Sequence, residues 1–321
     1  MMERLCHQPA YLPVCVCPRG SRVPVCGHAP PVFNFSRPSE MRLFRSMAFL
    51  CAAAAPLAAQ APKQADYADA MHAAHGRETP TATPAALIAP RAAVVGGDVM
   101  YGTVGGRMLH GYMAKPAGTA ASNGRAIIVV HEWWGLNSNI KAIVDRYAGE
   151  GYTVLGVDLF GRVATTPDTA MVLYQTAMKD IPAGEQNIAA AIAYLKAQGA
   201  RKIGSVGYCF GGHWSLRTGL VGGNDVKAVV MYYGAPITAR AQLTRLKAPV
   251  LGLFGGLDKG IPVDSVRAME RSMKANGRTV AINVYANANH AFANASGQAY
   301  NAAAAEDAWK KSLEFFSTKL R

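Results

Sequence analysis

Residues 202–216 read KIGSVGYCFGGHWSL. The first five form a short run suited to a buried strand, and the turn Gly207-Tyr208-Cys209-Phe210-Gly211-Gly212 leads from it into a helix. This is the pattern G-x-S-x-G with Cys in place of Ser. A nucleophile on such a turn sits on strained backbone that packs against the residues two before and two after it. Only small residues fit there, and Gly207 and Gly211 supply them. The helix N-terminus beneath the sulfur favours a thiolate and lowers its pKa. A free Cys is often just a small buried hydrophobe, and the strand-to-helix setting is what argues for more at Cys209.

Outward from this turn, strand and helix patterns alternate. Residues 94–104 and 108–114 read as a strand pair around Gly105-Gly106, and 126–130, 152–157, 228–232, 249–254 and 280–285 as further strands. Helical spacing recurs in Ile140, Ile143, Val144 and Tyr147, around 171–178, and in Ile188, Ile192 and Leu195. It returns in Val266, Met269 and Met273, and in Trp309, Leu313 and Phe316. Such alternation predicts an α/β fold, a mostly parallel sheet with helices on both faces, as one domain over 94–321. Working residues are then expected on loops at the carboxyl ends of the strands.

Composition narrows the function. Half of the 321 residues are hydrophobic and 17% are charged, which supports a packed core rather than a disordered chain. No apolar run reaches the ~20 residues of a membrane span, so no integral span is expected. The net charge of +13 invites a test for nucleic acid. However, residues 62–321 carry 27 basic and 18 acidic side chains in scattered positions, and no nucleic-acid motif, so that partner is set aside.

The N-terminal part has a different character. Arg42 and Arg45 precede the apolar stretch MAFLCAAAAPL at 47–57, and Ala59-Gln60-Ala61 offers a small-residue cleavage site. This reads as a signal peptide over 41–61, with a periplasmic or secreted protein as its consequence. Residues 1–40 then read as an unstructured extension upstream of a true start at Met41. Their Cys15, Cys17, Cys26 and His28 match no standard metal spacing. Five of the six cysteines lie in 1–51, which leaves Cys209 without a disulfide partner in the processed chain. Residues 62–93, rich in Ala, Pro, His and Thr, read as a linker; His72 and His75 could share a helix face there, with no third metal ligand nearby.

A nucleophile needs a base, and the base needs an orienting group. In this architecture they follow in the order nucleophile, acid, histidine. Asp258 lies just past strand 249–254, and His290 just past strand 280–285, where each could meet Cys209. Asp264 competes as the acid but falls inside the next helix, and His213 lies within the helix that follows Cys209. One oxyanion donor should be the N–H of Phe210. The other should come from the loop after strand 126–130, His131-Glu132-Trp133-Trp134-Gly135-Leu136-Asn137.

Together HEWWGLN at 131–137, GYCFGG at 207–212, GGLDKGIP at 255–262 and NHAFAN at 289–294 resemble the dienelactone hydrolase family of α/β hydrolases over roughly 95–320. The resemblance implies a carboxylic ester hydrolase with a Cys209, Asp258 and His290 triad. It also implies a Glu132 that contacts the resting thiol, the Trp133 N–H as second oxyanion donor, and a small lactone or ester substrate. No metal or organic cofactor is implied. Two arginines that hold the substrate carboxylate in such enzymes have no counterpart here: Asn294 stands at one position, and no Arg occurs between Thr166 and Arg201. A broader exported esterase or thioesterase, and a silent hydrolase-like binding protein, therefore stay open as alternatives. The oligomeric state is open, and a monomer is compatible with the sequence.

Overall fold

The structure, a computed structural model, describes residues 64–321 except 77, 79 and 119–122. The signal-like segment 41–61 and the extension 1–40 lie outside the described residues. In chain order the elements are α1 Gln64–His75, β1 Val94–Val104, β2 Arg107–Pro116, β3 Arg125–Val130, α2 Ser138–Gly149, β4 Thr153–Val157, α3 Pro167–Lys179 and α4 Ile181–Ala197. They continue with β5 Lys202–Tyr208, α5 Phe210–Gly222, β6 Val226–Tyr232, α6 Arg240–Leu243, β7 Val250–Gly255, α7 Val263–Ala275, β8 Val280–Tyr285 and α8 Ala302–Lys319.

The strands form one eight-stranded sheet in the order β1-β2-β4-β3-β5-β6-β7-β8. The β1–β2 and β2–β4 pairs are antiparallel and the other five are parallel. Gly105 and Gly106 join β1 to β2 with φ of +56° and +79°, the left-handed backbone that a two-residue hairpin turn requires. Helices on both faces explain why the central strands read as unbroken apolar runs. In β3, Ala126 through Val130 are all fully buried. Each large side chain in that strand contributes roughly 1.5–3 kcal/mol by leaving water.

The site follows from the strand order. After β3 the chain adds β4 on one side, then crosses back to add β5 on the other. The loops leaving the carboxyl ends of β3 and β5 therefore diverge, which opens a crevice at this switch point. The 131–137 loop and the Cys209 turn are those two loops. The loops after β7 and β8 bring Asp258 and His290 to the same edge.

The segment expected as a linker over 62–93 is partly built into the domain. Within α1, Tyr67, Met71 and His75 recur every four residues and are 3%, 1% and 1% exposed. That spacing places them on one helix face, against the crevice. His72 and His75 do not act together: His72 Nε2 pairs with Asp168 on α3 at 2.9 Å, while His75 turns inward. The following residues are tied down as well. Asn137 Nδ2 donates to Pro80 O at 2.7 Å, and Thr83 N donates to Ser296 Oγ at 2.8 Å. Composition suggested a tether because the apolar face is only three residues, and what it covers is remote in sequence.

The glycines of the turn carry a steric test. A Cβ on Gly207 would lie 1.9 Å from Gly211 O, and one on Gly211 would lie 2.1 Å from Val130 O. Both obstacles are backbone, so neither can rotate away. Gly211→Ala is expected to lose about 2–3 kcal/mol or more of stability, read as a lower urea midpoint at unchanged m-value.

Candidate active site

Cys209 links β5 to α5 with φ +54° and ψ −118°, a strained conformation for a residue with a Cβ. Its N–H donates to Tyr232 O at 3.1 Å, which ties the turn to β6. Phe210 opens α5, so its N–H belongs to the group that the helix itself cannot pair. The side chain of Trp133, on the loop after β3, is fully buried. Gly135 lets that loop turn at φ +91°. His131 pins the loop further: Nδ1 donates to Glu132 O at 2.8 Å, and Nε2 accepts from Leu159 N at 3.1 Å. Burial lowers the His131 pKa, in keeping with a neutral, structural ring.

Asp258, His290 and Cys209 come together. His290 Nδ1 donates to Asp258 Oδ2 at 2.7 Å. The other oxygen, Oδ1, accepts from the N–H groups of Gly260 and Ile261, both at 2.9 Å. Burial would raise the Asp258 pKa, but the His290 charge and these bonds hold it below the usual carboxylate range. Burial would likewise discharge His290, and the Asp258 and Cys209 charges reverse that, pushing its pKa well up. Burial raises a thiol, yet the His290 charge, with further help from His75, brings Cys209 down to about 6. Asp264 sits in the first turn of α7, as its position suggested. His213 bonds Ala235 O and Arg217, and burial followed by the Arg217 charge lowers it to about 4.

Glu132 is buried, and both oxygens of its carboxylate are hydrogen-bonded. Oε1 accepts from Tyr233 OH at 3.1 Å, and Oε2 accepts from Asn294 Nδ2 at 2.9 Å. Burial, then the nearby sulfur charge, raises its pKa to about 7. The sulfur itself meets Tyr67 OH at 3.6 Å and Met71 Sδ at 3.7 Å. Asn294, which stands where the resemblance leads one to expect an arginine, thus holds the acid with an uncharged donor.

Sequence reasoning missed Tyr67, Met71, Glu78 and Tyr233, and weighed His75 only as a metal ligand beside His72. His75 Nδ1 donates to Glu78 Oε2 at 2.6 Å, both side chains buried. The only sequence signal was the four-residue spacing of Tyr67, Met71 and His75. Among the described residues, one grouping of three metal-capable side chains occurs: His75, Cys209 and His290, with ligand atoms within 4.8 Å of one another. Burial opposes a proton on either ring, yet the sulfur and the carboxylate beside each raise both pKa values, His75 to about 9. Around this grouping Tyr67, Trp133, Tyr174 and Phe210 form an aromatic wall with ring centroids 5.8–5.9 Å apart.

Residues 109–320 match the dienelactone hydrolase family. The chain belongs to this family. It is 32% identical over 262 residues to a protein of Escherichia coli strain K12 named "Putative carboxymethylenebutenolidase", covering 74% of this chain and 93% of that one. Protein usf of Aquifex pyrophilus is 31% identical over 227 residues, 67% of this chain and 95% of the other. Among solved structures, a Klebsiella pneumoniae protein named "Putative Dienelactone Hydrolase" aligns with TM-score 0.62 at 26% identity, over 70% of this chain and 99% of that one. A dienelactone hydrolase-like promiscuous phosphotriesterase, P91, shares the fold with TM-score 0.64 at 24% identity, over 71% and 99%. The eight-stranded sheet is thus that of an α/β hydrolase, and the chain is a hydrolase of small-molecule esters or lactones. The family match begins at β2, so α1 and Glu78 lie outside it.

Cys209 is fully buried beneath α1. Replacing Met71 by Ala removes a side chain that touches the sulfur. It is expected to raise the plateau rate of Cys209 alkylation severalfold, measured by mass spectrometry of the Cys209 peptide.

Proposed function

We propose that the chain hydrolyses small, uncharged lactones or activated esters through a thioacyl intermediate on Cys209. The observation that carries this reading is the His290–Asp258 pair, 2.7 Å apart, beside a thiol on a left-handed strand-to-helix turn. The thiolate attacks the carbonyl carbon. The N–H groups of Phe210 and Trp133 stabilise the oxyanion. The C–O bond breaks, and His290, oriented by Asp258, gives a proton to the departing oxygen. His290 then takes a proton from water, which attacks the thioester and frees the acid and Cys209.

Substrate charge follows from the walls. An aromatic surround and an amide at 294 favour a neutral acyl group over a carboxylate-bearing one. A charged hydrogen bond typically contributes ~1.5–3 kcal/mol, so two missing arginines are a large loss for an anionic dienelactone. A neutral aryl ester is therefore expected to turn over faster than a dienelactone, and both rates should vanish after thiol alkylation. Turnover that survives alkylation would overturn the thioacyl route. Cys209→Ala should abolish turnover while the urea midpoint stays within about 1 kcal/mol of stability.

The pH profile gives a second check. With the thiol down to about 6, kcat/KM should rise as pH passes about 6, because the ionised sulfur is the reactive form. Asp258→Asn should lower kcat by roughly 10²–10⁴, as the imidazole loses its orienting charge. Export is part of the proposal, on the strength of the signal-like segment 41–61. N-terminal sequencing of the protein from the producing cells should find a start near Ala61, and an intact N-terminus would remove this part.

A further inference from the structure

Two imidazole–carboxylate pairs converge on one sulfur. On one side His290 Nδ1 is held by Asp258 at 2.7 Å. On the other, His75 Nδ1 is held by Glu78 at 2.6 Å. The Nε2 atoms of both rings are buried and make no hydrogen bond of ordinary geometry. A ring nitrogen from each and Cys209 Sγ lie within 4.8 Å of one another. The rings stand edge to face, 6.1 Å apart at 82°, and His75 stacks on Trp133 at 5.8 Å and 15°.

The second pair is built into the fold. The His75 and Glu78 side chains are 1% and 4% exposed, a costly place for two ionisable groups unless each is satisfied. Glu78 Oε1 accepts from Gln298 N at 3.2 Å, so the carboxylate is fixed from the β8–α8 side. Its position matches that of Asp258, one carboxylate behind each imidazole.

A buried sulfur anion needs compensating positive charge. Glu132 cannot give it, since a carboxylate adds charge of the same sign and this one is occupied by Tyr233 and Asn294. We propose that His75, oriented by Glu78, is a second imidazole of the active site, which shares the Cys209 proton with His290 and keeps the sulfur as thiolate before substrate arrives. This rests on Cys209 being the nucleophile. The S–H bond breaks and an N–H bond forms on an imidazole. The proton leaves on the oxygen released when the ester C–O bond breaks, and water restores it as the thioester is cleaved. Glu78 acts through His75 and is a positioning residue.

The groups facing this cluster come from several elements. Tyr67 lies on α1, Tyr174 on α3, Glu132 after β3, Tyr233 after β6, Asp258 after β7 and His290 after β8. Burial alone would discharge His75, but the neighbouring Cys209 sulfur and the Glu78 carboxylate raise it to about 9. As an imidazolium it opposes the charges of Glu132 and the sulfur.

The test reads ionisation of the thiol directly. Full-length protein is alkylated with iodoacetamide across pH 4–9, and the Cys209 peptide is quantified by mass spectrometry. The wild-type midpoint should fall near 6. His75→Gln should move it up by about one pH unit or more, a tenfold or larger loss of thiolate at a given low pH. Glu78→Gln should move it the same way by less, and His75→Lys, which restores a cation, should bring it back toward the wild-type value. A merely structural role would raise the plateau rate through exposure and leave the midpoint in place. An unmoved midpoint in both His75→Gln and Glu78→Gln would overturn the proposal. Failure of the nucleophile reading shows separately, as turnover that survives Cys209→Ala.

Discussion

Ionisation of a fully buried thiol, which burial disfavours and the neighbours of Cys209 favour, is the constraint on which the rest of the site depends. Desolvation opposes it, so every neighbouring feature must favour the ion. Cys209 sits at the head of α5, where the first N–H groups of the helix lack partners within it and favour a nearby anion. The turn that places it there has φ +54°, and it survives only because Gly207, Gly211 and Gly212 let three backbone segments close on one another. Steric fit and electrostatics thus meet at one residue. The strain is maintained by β5 and β6, which are buried apart from Lys202 and Lys227.

The same constraint orders the second layer. Asp258 and Glu78 each hold one imidazole by Nδ1 and leave Nε2 uncommitted beside the sulfur. Glu132 is a third buried carboxylate with no cation hydrogen-bonded to it. It is held by a phenol and an amide, and its pKa of about 7 lets it be neutral for part of the time at physiological pH. An arginine in place of Asn294 would fix Glu132 as an anion by a buried ion pair. The amide satisfies the oxygens without doing so. This links the missing substrate-binding arginine to the protonation state of the site.

α1 extends the candidate site beyond the family match. The family match starts at β2, yet Tyr67, Met71 and His75 from the preceding helix touch or face Cys209. The helix is secured at its outer face by His72 to Asp168 and, beyond its end, by Pro80 and Thr83 to the 131–138 and 294–296 loops. The hydrolase domain alone would present an open crevice at the strand ends. With α1 in place, the thiol has an aromatic and imidazole roof.

Most of the fold was legible in the sequence because it rests on local rules. Strand-length apolar runs, helical spacing and the glycines around Cys209 each act within a few residues. The parallel sheet and the loop positions of Asp258 and His290 follow from them. What stayed hidden were meetings across long separations. Tyr67 reaches Cys209 from 142 residues away, and Asn294 reaches Glu132 from 162. No periodicity encodes such a pair, and the Ala- and Pro-rich composition around His75 pointed to a tether. The sequence determined the glycine-flanked Cys209 turn and the order of the chain around it, since short-range sterics and hydrophobic patterning act on neighbours. Only the tertiary structure decided which buried charges share the space above the sulfur, because that depends on how remote segments pack.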